Sequence, residues 1–270
     1  PTYQYSLLHG VRDGFLVNPS VVDARTEITT QLLNDEGYTV QMTDEDGEET
    51  STTFSQRDFE KKLFSENTNR IFCKTFLDNA FVDPISKEIG KTIVFCVSQN
   101  HAAKITQILN EFADQKFPGK YQSDFAMQVT SWIPDAQQHT INFTNNRLGG
   151  KGNFFDLYQT SKTRVCITVG MMTTGYDCPD LLNVCLMRPI FSPTDFIQIK
   201  GRGTRKCNFA NKEVLKDKSL IENIDPELLQ KSKFKLFDFF ANCEFFEEKF
   251  NYDEVIKLPP KGSSTDGTGG

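Results

Sequence analysis

The sequence predicts an α/β fold built on a parallel sheet with helices on its faces, and three observations carry that expectation. Residues 92–97 form a short, continuous apolar run, the pattern of a strand buried on both sides, and 164–169 and 183–187 are strand-like runs with apolar centres. Helical periodicity follows the first, and a helix start follows the last. The alternation of strand and helix recurs at the spacing of right-handed crossovers.

Taken in order, Tyr5-Ser6-Leu7-Leu8 opens a short amphipathic stretch, and residues 14–19 read as a turn into an extended run through Val22. Tyr38, Val40 and Met42 alternate with polar residues before Asp46-Gly47, a two-residue hairpin signal, and residues 49–54 read as the return strand. Residues 55–80 place Phe59, Leu63, Phe64, Ile71, Phe72, Phe76 and Leu77 at the spacing of one or two amphipathic helices. After the 92–97 strand, Ile105, Ile108, Leu109 and Phe112 predict a helix from His101 onward. Residues 125–130 then precede a helix over 134–143. Ser192-Pro193-Thr194-Asp195 marks another helix start, with Ser192 at the N-cap and Pro193 at the first helical position. Residues 234–240 read as one more strand, and 262–270 as a Gly/Ser/Thr/Asp tail. The domain expectation is an entry segment with hairpin and helices over 1–85, a sheet domain over 86–250, and a tail over 251–270.

Composition bounds the function without naming it. The chain has 270 residues, 38% hydrophobic and 24% charged, with a net charge of −6, so nucleic-acid contact must be local rather than global. No apolar run is long enough to span a bilayer, and no membrane partner is expected. Seven cysteines without a C-x-x-C spacing argue against a disulfide framework or a zinc site; Cys96, Cys166 and Cys185 read as reduced core residues. The first residue is proline, which reads as a fragment or a processed chain.

Ligands of open parallel sheets sit at the carboxyl ends of the strands. Three stretches are expected there, on one edge: Ser98, Gln99 and Asn100; the Gly170–Asp177 loop with Thr173, Thr174, Gly175 and Asp177; and the helix after 183–187. If that helix runs on, Gln198, Arg202 and Arg205 fall on one stripe at i, i+4 and i+7, with Gly201 and Gly203 between them. Two permanent, fork-shaped cations beside glycines suit close approach to a phosphate. The alternative is a surface helix with solvated arginines. Thr173, Thr174 and the Gly175 amide could donate to phosphate oxygens, and Asp177 could fix a ribose hydroxyl or position an arginine. A plain turn with Asp177 as a helix cap reads equally well.

Other signals fail. Gly90-Lys91-Thr92 resembles the end of a phosphate loop, but Ile85 stands where a glycine is required and a strand follows instead of preceding it. Asp44-Glu45-Asp46 reads as a solvated turn, and Glu60-Lys61-Lys62 lacks a partner aspartate on a strand. His101 and His139 read as helix-surface residues, and Trp132, which could stack on a base, reads more readily as a packing residue.

Taken together, the stretches Ile93-Val94-Phe95-Cys96, Ile167–Pro179 and Gln198-Ile199-Lys200-Gly201-Arg202-Gly203-Thr204-Arg205 resemble motifs IV, V and VI of superfamily 2 helicases. More narrowly, residues 172–179 and 201–205, together with Leu236-Phe237-Asp238-Phe239 and Glu244-Phe245-Phe246, resemble the restriction subunit of type I restriction-modification enzymes. Residues 14–17 are similar to that family's link between motor domains. The resemblance implies a RecA-like second motor lobe of an ATP-dependent double-stranded DNA translocase coupled to cleavage. It implies Arg202 and Arg205 as arginine fingers, Gln198 as an orienting residue, and Gly175, Asp177 and Gly201 on the nucleotide side. Thr173, Thr174 and Ser98 would touch the DNA backbone. ATP and Mg²⁺ would be bound mainly by a first RecA-like lobe, and the other partners would be methylation and specificity subunits in a bacterial or archaeal cytoplasm. No phosphate loop, acidic metal pair or nuclease signature is present, so this chain alone is expected to be inactive, with no metal site. A repair or remodelling helicase lobe, or a non-catalytic adaptor, are the alternatives.

Overall fold

The computed structural model describes residues 7–24, 65–150, 158–170, 177–190, 192–210, 214–216, 219 and 221–250. The 38–54 hairpin, Asp44-Glu45-Asp46, Glu60-Lys61-Lys62, the 262–270 tail, and Thr173, Thr174 and Gly175 lie outside these residues.

Six parallel strands form one sheet in the order β1-β6-β5-β2-β4-β3. They are β1 (Asn18–Asp23), β2 (Thr92–Cys96), β3 (Ala126–Gln128), β4 (Val165–Thr168), β5 (Asn183–Met187) and β6 (Lys233–Asp238). The helices are α1 (Leu7–Arg12), α2 (Glu66–Asn79), α3 (Gln99–Lys116), α4 (Ala136–Thr144), α5 (Pro193–Gly201) and α6 (Asn242–Phe250). The expected α/β class is therefore present. The extended run after residue 14 is an edge strand of this sheet, paired along its length with β6. Pro19 brings no N–H, which an edge strand tolerates. β1 and α2, both before residue 86, are integral to the sheet and its core.

The three apolar runs become the central strands because every residue of β2, β4 and β5 is buried. Alternate side chains serve opposite layers. Val94, Cys96, Val165, Ile167 and Phe237 pack with Phe72 and Phe76 of α2 and Ile105 and Leu109 of α3. Ile93, Phe95, Cys166, Val184 and Leu186 pack with Phe143 of α4, Phe196 and Ile199 of α5, and Phe246 of α6. Phe196 and Phe246 stack at 4.5 Å between centroids, fixing α5 against α6. Burying a large apolar side chain contributes about 1.5–3 kcal/mol, so these two layers are the main stabilising term. All seven cysteines are free, and burial raises the thiols of Cys96, Cys166 and Cys185 well above their usual range, as expected for inert core residues.

Candidate functional site

Register separates the sheet into two edges. Asn18, Thr92, Asn183 and Lys233 begin their strands on one; Asp23, Cys96, Gln128, Thr168, Met187 and Asp238 end theirs on the other. Helix α5 starts at the carboxyl edge, where the Ser192 hydroxyl accepts from the Asp195 amide at 3.4 Å, as the cap pattern predicts. It then runs back for nine residues, on the order of 13 Å at 1.5 Å per residue. The arginines consequently sit at the amino edge, beside the entry to β1. The expectation that they share one edge with Ser98 is corrected: a crossover helix carries its C-terminal residues away from the edge at which it begins.

The arginine end is built by a turn. Arg202 keeps helical backbone angles (φ −61°, ψ −35°) and its Nε donates to the Gln198 carbonyl at 3.1 Å, so these two share a stripe. Arg205 does not. The amides of Arg202, Gly203 and Thr204 turn back onto Ile199, Lys200 and Gly201, and Arg205 then forms an antiparallel bridge with Leu16. The turn is set at Gly203, where a Cβ would stand 2.1 Å from the Phe234 ring of β6. The Val17 amide donates to the Thr204 carbonyl at 2.7 Å, completing the join. Arg205 Nε meets Asp177 Oδ1 at 3.2 Å, with both side chains 58% exposed, so the structure brings together two of the residues singled out in the sequence. At Gly201 a Cβ would meet no atom within 4 Å, leaving open room beside Arg202. Cations at a helix C-terminus are also favoured by the backbone dipole.

Beneath Asp177 lies a buried support that sequence reading missed. Lys91, 1% exposed, places Nζ 3.0 Å from Asp180, within 3.2 Å of the Thr144 carbonyl, and over the Phe143 ring. Burial works to raise the Asp180 carboxyl, but Lys91, with Cys178 and Asn146, holds it below its ordinary range. Lys231 donates to the Pro179 carbonyl at 2.9 Å, and burial pushes its ammonium down to about 8 against partial opposition from Cys178, Cys207 and Asp180. Gly90 is needed because a Cβ would strike Leu182 and the Phe81 carbonyl. Gly90-Lys91-Thr92 is thus a packing element. The signal available in sequence was a lysine directly before a fully apolar strand.

The carboxyl edge is made of hydroxyls and amides. Ser98 caps α3 by accepting from the His101 amide at 3.3 Å. The Gln128 side chain donates to the Gln99 carbonyl and side-chain oxygens at 3.3 and 3.2 Å, tying the end of β3 to the start of α3. Arg188, just beyond β5 and not singled out in the sequence, donates to the Val169 carbonyl at 3.0 Å. Asp238 accepts from the Phe240 and Cys243 amides and from Asn242, which in turn bridges to Ile190 and Arg188. Burial raises the Asp238 carboxyl against those bonds.

Two expectations are corrected here. His101 is fully buried: its Nδ1 accepts from the Val97 amide at 3.3 Å and its Nε2 faces Asn69 Oδ1 at 3.1 Å. It sits on the face of α3 turned to the sheet, one turn into the helix. Trp132 is 73% exposed instead of packed, because the Ile133 amide closes a turn on the Thr130 carbonyl and leaves Trp132 at its tip. His139 is half-buried on α4.

Among the described residues no group of three or more His, Cys, Asp or Glu side chains is placed to hold a metal ion, and no helix is long and apolar enough to cross a membrane. No protein-family profile matches the chain. Over 231 residues, 80% of its length, the chain is 28% identical to the type I restriction enzyme EcoKI endonuclease subunit of Escherichia coli K12. It is 29% identical over 208 residues to the EcoAI endonuclease subunit of Escherichia coli. These matches cover 18% and 23% of those proteins, so the chain spans about a fifth of their length. A fragment structure of an HsdR subunit of a type I restriction enzyme from Vibrio vulnificus YJ016 superposes with a TM-score of 0.57 at 26% identity, over 93% of this chain and 38% of that one. In sequence and in fold, then, the chain is similar to the endonuclease subunits of type I restriction enzymes, on a parallel α/β sheet of the RecA-like kind.

Proposed function

We propose that the chain is the second motor lobe of a type I restriction subunit, a cytoplasmic double-stranded DNA translocase whose movement is coupled to cleavage. The observation that carries this reading is the arginine end itself. Arg202 and an exposed Arg205 stand beside a glycine with open room, and Asp177 holds the second guanidinium in place. Such a corner suits a triphosphate presented by another lobe. Arg202 and Arg205 would face the phosphoryl group being transferred, Gln198 would orient the corner from the same helical stripe, and Gly201 would allow close approach. Asp177 would position Arg205 and reach a ribose hydroxyl. Mg²⁺ and most of the ATP contact would fall to the first lobe. The bound ion would neutralise phosphate charge there.

Catalysis by such a lobe is electrostatic. A guanidinium held in place before the reaction needs no reorganisation as charge develops, and an arginine finger is worth roughly 10³–10⁵ in rate. Ser98 at the other edge, with Thr173 and Thr174, would meet the DNA backbone through hydroxyls, which position a duplex without reading its sequence. Methylation and specificity subunits would supply recognition. Alone, the chain is expected neither to hydrolyse ATP nor to cut DNA.

The test is DNA-stimulated ATP turnover of the full-length subunit with and without Arg205→Ala. Turnover should fall at least a hundredfold while ATP affinity changes much less. Unchanged turnover would make the arginine end a structural turn and end this reading.

A further inference from the structure

We propose that Lys231 is a positioning residue for the arginine corner. It joins the segment that carries Arg205 to the segment that carries Asp177, and so sets where the second guanidinium stands. The inference rests on the reading of Arg205 as a phosphate-facing residue and adds to it a buried lysine ahead of β6.

Topology brings the two segments together. In the order β6-β5-β2, β5 lies between the other two, and residues 177–182 lead into it. Each flanking strand is preceded by a buried lysine, Lys91 directly before β2 and Lys231 two residues before β6. Both reach the same stretch: Lys91 meets Asp180, and Lys231 donates to the Pro179 carbonyl at 2.9 Å. Lys231 holds the other arm as well. Its amide donates to the Cys207 carbonyl at 2.8 Å, the Phe209 amide donates to the Leu229 carbonyl at 2.9 Å, and Asn208 forms an antiparallel bridge with Gln230. Residues 207–209 and 229–231 are therefore a short antiparallel pair that begins two residues after Arg205. Pro179 likewise stands two residues after Asp177. From one buried side chain and its own amide, each member of the Arg205–Asp177 pair is reached through two residues of chain, about 7 Å when extended.

The corner needs such a tie. Asp177 and Arg205 meet in solvent, and an exposed pair does little by itself to hold two side chains in one geometry. Its placement comes from the backbone beneath. The ring of Pro179 fixes one backbone angle, the Cys178 carbonyl accepts from the Leu181 amide at 3.1 Å, and the ammonium fastens the Pro179 carbonyl from below. A charged donor makes the stronger kind of hydrogen bond.

Lysine is a costly residue here. Its ammonium is met by a carbonyl, where that of Lys91 meets a carboxylate, and burial pushes it down to about 8. Methionine would fill similar space without that cost. What lysine adds over methionine is the bond to Pro179.

The experiment measures DNA-stimulated ATP turnover of the full-length subunit, as kcat and KM for ATP, in Lys231→Met, Asp177→Asn and the double variant, with Arg205→Ala beside them. Lys231→Met should lower kcat about 3- to 10-fold, because a misplaced group slows the chemical step even when ligand binding is intact. KM should change less than about 2-fold, the pattern of an interaction that matters in the transition state. The melting temperature should move by less than about 2 °C, because loss of a buried charge is often neutral for the fold. In the Asp177→Asn background the same substitution should change kcat less than about 2-fold, since the route from Lys231 to Arg205 is already cut. A residue that only holds the fold would lower kcat by one factor in both backgrounds and lower the melting temperature with it. That result, or a Lys231→Met subunit that does not fold, would overturn the inference. Unchanged turnover in Lys231→Met or in Asp177→Asn, with Arg205→Ala inactive, would overturn it and leave the motor reading standing. Unchanged turnover in Arg205→Ala would end that reading and this inference with it.

Discussion

The two edges of this sheet differ in kind. At the amino edge, charge is concentrated: Arg205 exposed and Arg202 half-buried, with Lys91 and Lys231 buried and Asp180 half-buried beneath. The carboxyl edge carries hydroxyls, amides and the Trp132 indole, and of the charged groups there Arg188 and Asp238 bond the protein's own backbone. Coulomb attraction is long-ranged and insensitive to shape, and a transferring phosphoryl group demands it at one point. For the proposed motor, a surface that slides along a polymer would be better served by short-range neutral contacts, each weak enough to break. The separation of the two kinds by the length of a strand suits a lobe that meets different ligands at opposite ends.

That contrast can be broken one edge at a time. The largest expected effect is that of Arg205→Ala on turnover of the full-length subunit, which should leave DNA affinity intact. An equal loss of DNA affinity would erase the distinction. Next is the support of the amino edge. Lys91→Met leaves the partly buried Asp180 without its cation, and removal of one partner of a buried pair typically costs about 3–5 kcal/mol. For a domain of this size that is roughly a 6–20 °C drop in melting temperature by calorimetry. A drop under 2 °C would mean that Asn146 and Cys178 suffice.

The carboxyl edge should respond to acid through His101. His101 is held neutral by burial, which pushes its pKa down to about 4 from an ordinary value near 6.5. Between those values the unfolded chain binds the extra proton and the folded chain does not, so stability falls as pH falls from 6.5 towards 4. The loss is on the order of 2–3 kcal/mol in urea titrations, and His101→Gln should flatten it. The proton would arrive on Nδ1, which already accepts from Val97, so the start of α3 and the Ser98 cap should loosen first. The smallest effect on stability belongs to Asp177→Asn. An exposed pair contributes about 0–1 kcal/mol, yet turnover of the full-length subunit should drop several-fold as Arg205 loses its anchor. Equal turnover would show that the pair has no part in placing the guanidinium.

Much of this architecture was legible from residues alone. The buried runs at 92–97, 164–169 and 183–187 could be little else than central strands, and Ser192-Pro193 fixed where α5 begins. What was not legible follows from geometry rather than chemistry. The end of α5 depends on Gly203 meeting the Phe234 ring, a contact 31 residues apart in sequence, so the stripe through Arg205 was extended one turn too far. The edge on which the arginines sit depends on the length of that helix. β1 is polar at its ends and carries Pro19, hence reads as a linker until β6 is seen beside it. His101 and Trp132 exchanged their expected environments for the same reason: a helix cap turned one inward and a four-residue turn pushed the other out.

The join between the entry segment and the arginine turn has a mechanical consequence. Val17 and Leu16 hold Thr204 and Arg205 through a pair of backbone contacts, and immediately afterwards the chain enters a six-residue ladder with β6. Tension on the entry segment would load the short join before the long ladder. Each backbone bond contributes only about 0.5–1.5 kcal/mol net, so the join is the weaker of the two in series. It behaves as a fuse: a force that leaves the sheet whole can still shift the backbone that carries Arg205, and the sheet acts as the anvil against which that small displacement is made.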